Sequence, residues 1–184
     1  MLVEETEIRD VKIITPKKFA DERGFFSEAY NESKWRRAGL HFTFVQDNHS
    51  LSTAAGTIRG LHFQTPPFAQ DKLVRVVRGR IMDVAVDLRR SSATFGRHVA
   101  VELSAENWRQ LFVPIGFAHG FCTLEPNTEV QYKVTNFYSA ENDMGLAFDD
   151  PDLGVAWPVA ANEARLSEKD RALPRLRDLR EFFS

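Results

Sequence analysis

Two histidines, each close to glycine, are the residues of this chain best suited to chemistry. His62 lies in residues 59–64 (RGLHFQ), and His119 lies in residues 114–120 (PIGFAHG). Histidine titrates near neutral pH and also binds metals, and a nearby glycine lets a ligand approach the backbone closely. Two such histidines on separate strands indicate one site inside a β-barrel. Either a metal lies between them, or one histidine is a proton-transfer base.

Two further side chains of chemical interest fall on the apolar faces of predicted strands. Tyr132 lies two residues after Val130, and Lys72 lies two residues before Val74. Because side chains two residues apart on a strand point to the same face, Tyr132 and Lys72 are predicted to share a face with these valines. A lysine or tyrosine that points into an apolar interior costs stability unless it is paired or useful. A histidine base, a tyrosine acid and a lysine beside a developing enolate are suited to proton abstraction next to a carbonyl.

The sequence does not decide whether Arg59 and His62 point to the same face of their strand. Strict alternation over residues 57–64 puts His62 and Gln64 on one face of a strand and Arg59 on the other. Arg59 and His62 share the inner face only if Gly60 forms a β-bulge, and the sequence leaves this open.

The elements that must position these side chains are short strands between about residues 42 and 148. Turn residues such as Arg78-Gly79 separate them, and many short strands at this spacing indicate a sandwich or barrel. With 184 residues, the chain is predicted to be a single domain, residues 1–184. The predicted strands cover residues 57–64, 73–77, 81–88, 98–103, 110–113, 119–123, 130–135 and 145–148.

Helices are predicted only outside this strand region. Asn31 can cap a short helix over residues 31–39, with Gly39 in the left-handed position after its end. Ser167 can cap residues 168–171, and after Pro174 the pattern of residues 176–183 is that of an amphipathic helix.

Composition excludes several function classes. The net charge of −2 and the pI near 6.2 provide no long-range attraction to nucleic acid or to an anionic membrane. No apolar segment approaches the roughly 20 residues needed to span a bilayer, and the first residues lack the features of a signal peptide, so a cytoplasmic location is expected. The single cysteine, Cys122, lies in an apolar run and is expected to be a small buried hydrophobe.

The pattern Pro-x-Gly-x-x-His over residues 114–119 resembles the cupin superfamily. Metal-binding cupins carry His-x-His followed by a glutamate, whereas this chain has His62-Phe63-Gln64 and only Asp71 as a substitute acid. A catalytic zinc or iron site uses at least three strong protein ligands, so a metal-dependent cupin isomerase or dioxygenase is the less favoured alternative. General acid–base chemistry is favoured.

Eight segments, in order and correctly spaced, resemble the dTDP-4-dehydrorhamnose 3,5-epimerase family. The likeness runs from residue 21 to residue 170 without a large insertion. The fold that it implies is mainly β: a cupin-type jelly-roll β-barrel with short peripheral helices in the N- and C-terminal regions. The matching segments are residues 21–26, 45–48, 58–64, 72–79, 83–89, 113–121, 132–139 and 149–158.

The resemblance implies an isomerase that epimerises dTDP-4-dehydro-6-deoxy-D-glucose at C3 and C5 to dTDP-4-dehydro-L-rhamnose. It implies four catalytic residues: His62 as the base, Tyr132 as the acid, Lys72 at the enolate oxygen and Asp170 to orient and charge the histidine. It also implies contacts to the nucleotide sugar, with Tyr138 stacked on thymine. The other contacts are Arg23, Glu28, Gln46, Asp47, Asn48, Arg59, His119, Asp143 and Lys169.

The resemblance further implies homodimers that exchange N-terminal strands and that use no metal or organic cofactor. One departure is Asp143, which stands near the place of a family glutamate and is shorter by one methylene. Relatives with the same barrel epimerise one carbon only or act on related nucleotide-4-ketosugars. A mono-epimerase therefore stays open, as does a cupin that binds sugar nucleotides without catalysis.

Overall fold

Thirteen strands and two short helices are present in a computed structural model that describes residues 1–184. The helices are α1 (Glu32–Arg37) and α2 (Glu168–Arg171), and none is long and apolar enough to cross a membrane. The strands are β1 (Leu2–Glu5), β2 (Lys12–Thr15), β3 (Lys18–Asp21), β4 (Gly24–Ser27), β5 (Gln46–Ser52), β6 (Ile58–Gln64), β7 (Lys72–Arg78), β8 (Arg80–Asp87), β9 (His98–Ser104), β10 (Gln110–Val113), β11 (Phe117–Thr123), β12 (Thr128–Val134) and β13 (Asp143–Gly145).

Eleven of the strands form two antiparallel sheets that pack face to face, and β3 and β4 form a separate two-stranded hairpin. The larger sheet has the order β1-β2-β10-β7-β12-β5, and the smaller has the order β13-β6-β11-β8-β9. Val74 and Val130 of the larger sheet meet Ile81, Val101 and Phe121 of the smaller in one buried cluster. Each fully buried branched side chain contributes roughly 1.5–3 kcal/mol to this packing. The arrangement is the jelly-roll β-barrel expected from the sequence.

The outer faces of both sheets are partly covered. Helix α1 packs Trp35 against Phe112 of the larger sheet, with ring centroids 6.3 Å apart. The side chain of Asn31 accepts a hydrogen bond from the Lys34 amide at 3.0 Å, and Gly39 has φ +81°, so the predicted cap and end of this helix are confirmed. On the smaller sheet, the C-terminal segment covers the outer face and buries Phe183.

Several sequence expectations about the ends of the chain were wrong. Strands β1 to β4 were not predicted, and β5 lies within the region predicted to consist of strands but was not assigned individually. Strand β2 is held by β10, far along the chain, whereas β3 and β4 pair only with each other. Residues 176–183 contain only a 3-10 turn, Leu176–Asp178, instead of a helix. The Leu176 amide donates a hydrogen bond to Oδ2 of Asp150 at 2.6 Å. The spacing of apolar residues, on which the helix prediction rested, does not reveal such a tertiary hydrogen bond. The strand predicted over residues 145–148 instead covers Asp143–Gly145.

Gly60 interrupts the regular pairing of β6 with β11. The register shifts between His119 and Phe121, and Gly60 has φ +125°, which favours glycine. A Cβ on Gly60 would lie 2.5 Å from the Cα of Gly120, so no larger residue fits. This bulge brings Arg59 and His62 to the same inner face, which resolves the ambiguity in the sequence pattern.

Candidate active site

A cavity of about 570 Å³ opens between the two sheets. A second cavity of about 160 Å³ adjoins it, because His62, Lys72 and Tyr132 line both. Of the predicted site residues, those that line the larger cavity are Arg59, His62, Lys72, His119, Tyr132, Lys169 and Asp170. The smaller cavity adds Gln46, Asn48, Tyr138 and Asp143.

His62 and Asp170 form a hydrogen-bonded pair at the wall of the cavity. The distance between His62 Nε2 and Asp170 Oδ1 is 2.6 Å, and the Asp170 amide donates to the Ser167 hydroxyl at 3.1 Å. Burial by itself raises the pKa of Asp170. The hydrogen bond and charge of His62, together with hydrogen bonds from Ser167 and Gly60, lower it by more, so the net shift of the pKa is downward. An ionised carboxylate only accepts, so Nε2 of His62 carries a hydrogen and Nδ1 is available as a base.

Lys72 is buried beside this pair. Its Nζ donates to the backbone oxygen of His62 at 3.2 Å. Burial lowers the pKa of Lys72 to about 8, and the negative charges of Asp143 and Asp83 offset part of that fall. The lysine therefore presents a positive charge near neutral pH in a poorly solvated place, where it acts strongly on a developing oxyanion.

Tyr132 enters the cavity from β12 and packs against the central core. Burial raises the pKa of its phenol, the charge of Arg59 lowers it, and the charge of Asp143 raises it, with a net upward shift. The hydroxyl is therefore protonated at neutral pH, as a proton donor must be.

His119 is held by a carboxylate that the sequence analysis did not select. Nε2 of His119 lies 2.7 Å from Oδ1 of Asp83, which is fully buried on the adjacent strand β8, and Oδ2 of Asp83 has no hydrogen-bond partner. The carboxylate accepts from Nε2 and so holds the imidazole in one orientation. The sequence does contain an indication of this role, because Asp83 is a charged residue among the apolar residues of β8.

The mouth of the larger cavity is rich in guanidinium groups. Arg59 donates to the Ser52 hydroxyl at 3.1 Å and to the Leu51 backbone oxygen at 3.1 Å. Arg165 and Arg171, both missed in the sequence, also line the cavity. Neither has a side-chain hydrogen bond or an ion pair in the structure. Arginine binds phosphate through two parallel donors, so this mouth is suited to a diphosphate.

Tyr138 and Asp143 line the smaller cavity and lie next to Lys169, which lines the larger one. The Tyr138 hydroxyl donates to Oδ2 of Asp143 at 3.1 Å, and Lys169 forms an ion pair with the same oxygen. The charge of Asp143 is the main reason why the pKa of Tyr138 is raised. The shorter acid thus still contacts both neighbours, and 60% of Tyr138 is exposed.

Three predicted contact residues do not lie in these cavities within one chain. Asp47 projects from the opposite face of β5 and pairs with Lys133 at 2.7 Å, because alternation separates it from Gln46 and Asn48. Arg23 lies exposed on the β3–β4 hairpin and bonds to Asp21, and Glu28 pairs with Lys34.

His62 and His119 are register partners on β6 and β11 and line the same cavity. Each is bonded through Nε2 to a different carboxylate, and the Gln64 amide is bonded to backbone groups. The structure contains no group of three or more His, Cys, Asp or Glu side chains placed to hold a metal ion. The residues that line the larger cavity combine groups able to exchange protons, His62 and Tyr132, with the guanidinium groups at its mouth.

The fold and site define a cupin-type jelly roll with a cavity equipped for acid–base chemistry on a phosphorylated ligand. The family model described as dTDP-4-dehydrorhamnose 3,5-epimerase matches residues 5–178. The chain belongs to this family. It is 52% identical over 179 residues to the dTDP-4-dehydrorhamnose 3,5-epimerase of Sinorhizobium fredii, covering 97% of this chain and 91% of that protein.

Solved structures agree with this assignment. The dTDP-4-dehydrorhamnose 3,5-epimerase of Bacillus anthracis, with TDP and PPi bound, superimposes with a TM-score of 0.92 at 52% identity, covering 95% of this chain and 98% of that one. The dTDP-6-deoxy-D-glucose-3,5-epimerase of Legionella pneumophila, in complex with dTDP-4-keto-L-rhamnose, has a TM-score of 0.93 at 42% identity, covering 97% and 94%.

Proposed function

We infer that this protein epimerises dTDP-4-dehydro-6-deoxy-D-glucose at C3 and C5 to dTDP-4-dehydro-L-rhamnose, as its family relatives are named to do. One observation carries the inference: the His62–Asp170 pair, Lys72 and Tyr132 line a single cavity with a cationic mouth. The hydrogens at C3 and C5 are each α to the C4 ketone, so one base and one enolate site serve both carbons.

In the proposed reaction, Nδ1 of His62 removes the hydrogen from C3 or C5 as a proton. The electron pair of the C–H bond becomes an enolate, and its charge rests on the C4 oxygen beside Lys72. Tyr132 then donates its proton to the opposite face of the carbon and becomes a phenolate. Proton exchange with solvent returns His62 and Tyr132 to their starting states, and the side chain of His62 is 31% exposed for this exchange.

Incubation with the ketosugar nucleotide in D2O tests the function. We expect deuterium at both C3 and C5 in the proton NMR spectrum of the product, because the proton returned to each carbon comes from a solvent-exchanged group. Incorporation at one carbon only would identify a mono-epimerase on a related nucleotide-4-ketosugar. No incorporation at either carbon would refute the proposed activity.

Replacement of Tyr132 by Phe should separate exchange from inversion. The variant keeps His62 and Lys72, so exchange at the face of the base continues, but inversion should fall by about 10²–10³-fold because the acid is missing. Exchange is followed by proton NMR, and inversion by chromatography of the product. Unchanged inversion would remove Tyr132 from the acid role.

We propose that two copies form a homodimer in which Arg23 and Glu28 of one copy serve the cavity of the other. The β3–β4 hairpin pairs with no other strand of its own chain and exposes three aromatic rings, those of Phe19, Phe25 and Phe26. Exposed apolar clusters of this kind mark interaction surfaces. A second copy of the chain would cover the rings and bring the Arg23 guanidinium to a diphosphate.

Mixed dimers test this arrangement. Arg23→Ala and His62→Ala subunits are each expected to be weakly active alone. A mixed dimer regains about half of the wild-type activity, because one of its two sites combines His62 and Arg23. Activity of the mixture no higher than that of the parents, or a monomer in analytical ultracentrifugation, would contradict the proposal.

We further propose that residues 1–184 act as a single catalytic domain, located in the cytoplasm. A charged nucleotide sugar does not cross a bilayer unaided, so the enzyme must share the compartment in which the nucleotide is made. Fractionation of cells that express the tagged protein provides the test of location.

A further inference from the structure

We propose that Gln64 is a positioning residue that holds the Tyr138 ring in place for stacking on the nucleobase. The inference rests on the proposed binding of a thymidine nucleotide and names a residue to which the sequence analysis assigned no role. In metal-binding cupins the same position carries the second histidine of His-x-His. Here it carries an amide, and the structure indicates what that amide does.

The Gln64 side chain is buried, with 5% exposure, and each of its three hydrogen bonds goes to the backbone. Its Nε2 donates to the oxygens of Phe68 at 2.7 Å and Phe137 at 3.1 Å, and its Oε1 accepts from the Ser139 amide at 2.7 Å. Two of these three bonds therefore fall on the residues immediately before and after Tyr138.

Tyr138 itself is held from a second direction. Its amide donates to Oε1 of Gln46 at 3.2 Å, so three consecutive backbone positions are fixed by two glutamines. The ring makes no close pairing with another aromatic ring, and its one side-chain hydrogen bond goes to Asp143. Because little packs against the ring, its direction depends on the backbone that carries it. Preorganisation of this kind reduces the ordering cost of binding.

The chemistry of position 64 explains why glutamine is suited to it. The site needs two donors and one acceptor, which a neutral amide supplies. An ionised glutamate supplies no donor, and a leucine supplies neither donor nor acceptor. A buried backbone group that loses its partner is costly, so the segment over residues 137–139 would shift to find water.

Binding of thymidine diphosphate to the complete protein tests the proposal. We expect Gln64→Leu to weaken binding by about tenfold or more, and Gln64→Glu, which is close in shape, to weaken it by several-fold. KM for the ketosugar nucleotide should rise in parallel, whereas kcat at saturation should change by less than about threefold, because His62, Lys72 and Tyr132 are retained.

A double-mutant cycle separates positioning of Tyr138 from general damage. In a Tyr138→Ala background, Gln64→Leu should cause almost no further loss of affinity, because there is no ring left to position. Gln110→Leu is the matched control: Gln110 is equally buried and bonds to the Ala29 oxygen at 3.0 Å, away from Tyr138. It should lower the melting temperature without changing affinity.

Three outcomes would overturn the proposal. They are unchanged affinity in a folded Gln64→Leu or Gln64→Glu protein, full additivity of Gln64→Leu with Tyr138→Ala, and an equal loss of affinity in Gln110→Leu. If the wild-type protein itself fails to bind thymidine diphosphate, the proposed function fails with it. Tight binding by the wild type with any of those three outcomes refutes only the role of Gln64.

Discussion

His62→Ala should lower deuterium exchange at both C3 and C5 by about 10²–10⁴-fold, which is the usual contribution of a general base. The imidazole is the group placed to accept the proton, since Asp170 holds Nε2 at 2.6 Å and leaves Nδ1 free. The loss should appear equally at the two carbons, because both hydrogens are α to the same ketone. The measurement is the initial rate of exchange in D2O, followed by proton NMR.

The matched control is His98→Ala. This ring bonds through Nδ1 to the Leu153 oxygen at 3.1 Å and does not line either cavity of the site, so exchange should stay within about twofold of the wild type. Asp170→Asn should show a smaller loss than His62→Ala, because the ring remains but its orientation and charge are less well supported. Normal exchange in His62→Ala would remove the base from the mechanism.

Lys72→Met should lower kcat/KM by about 10²–10³-fold, the loss typical when one stabiliser of an oxyanion is removed. Methionine keeps the length and apolar stem of the side chain but removes the charge beside the C4 oxygen. Lys133→Met is the control, because Lys133 carries the same charge on the outer face of the sheet, paired with Asp47. A loss in Lys133→Met as large as that in Lys72→Met would contradict a local effect.

The pH dependence of the wild type provides a second measure of Lys72. Since burial lowers the pKa of Lys72 to about 8, kcat/KM should fall as the pH rises through about 8, where the ammonium becomes a neutral amine. This decline should be absent in Lys72→Met. Asp143→Asn removes a negative charge that favours the ammonium, so the decline should move to lower pH. A decline at the same pH in Lys72→Met would assign it to another group.

Many residues of the inner surface of the barrel could be predicted from the sequence. Alternation placed Lys72 and Tyr132 on apolar faces, and the structure places both in the cavity. This succeeded because the two-residue period of a strand is a local property of the backbone. Where the local rule was ambiguous, at Gly60, the answer came from the close approach of Gly120 on the neighbouring strand.

The same local rule also separates residues that the family resemblance grouped together. Gln46, Asp47 and Asn48 are consecutive on β5, and alternation sends Asp47 to the outer face, where it meets Lys133. Resemblance transfers a motif as a unit, whereas a pleated strand divides it between two surfaces. Arg23 and Glu28 are also outside the cavity of their own chain.

By itself, the sequence determined the residue types available to the site, the faces of the strands that carry them and the family to which they belong, because these follow from local geometry and from motif order. The family resemblance implied that Asp170 serves His62, and the tertiary structure brings the two together across 108 residues. Only the tertiary structure revealed that His119 meets Asp83, at a separation of 36. Such pairs depend on strand register and on where a short C-terminal helix docks, and side chains distant in the chain leave no periodic signal of their contact.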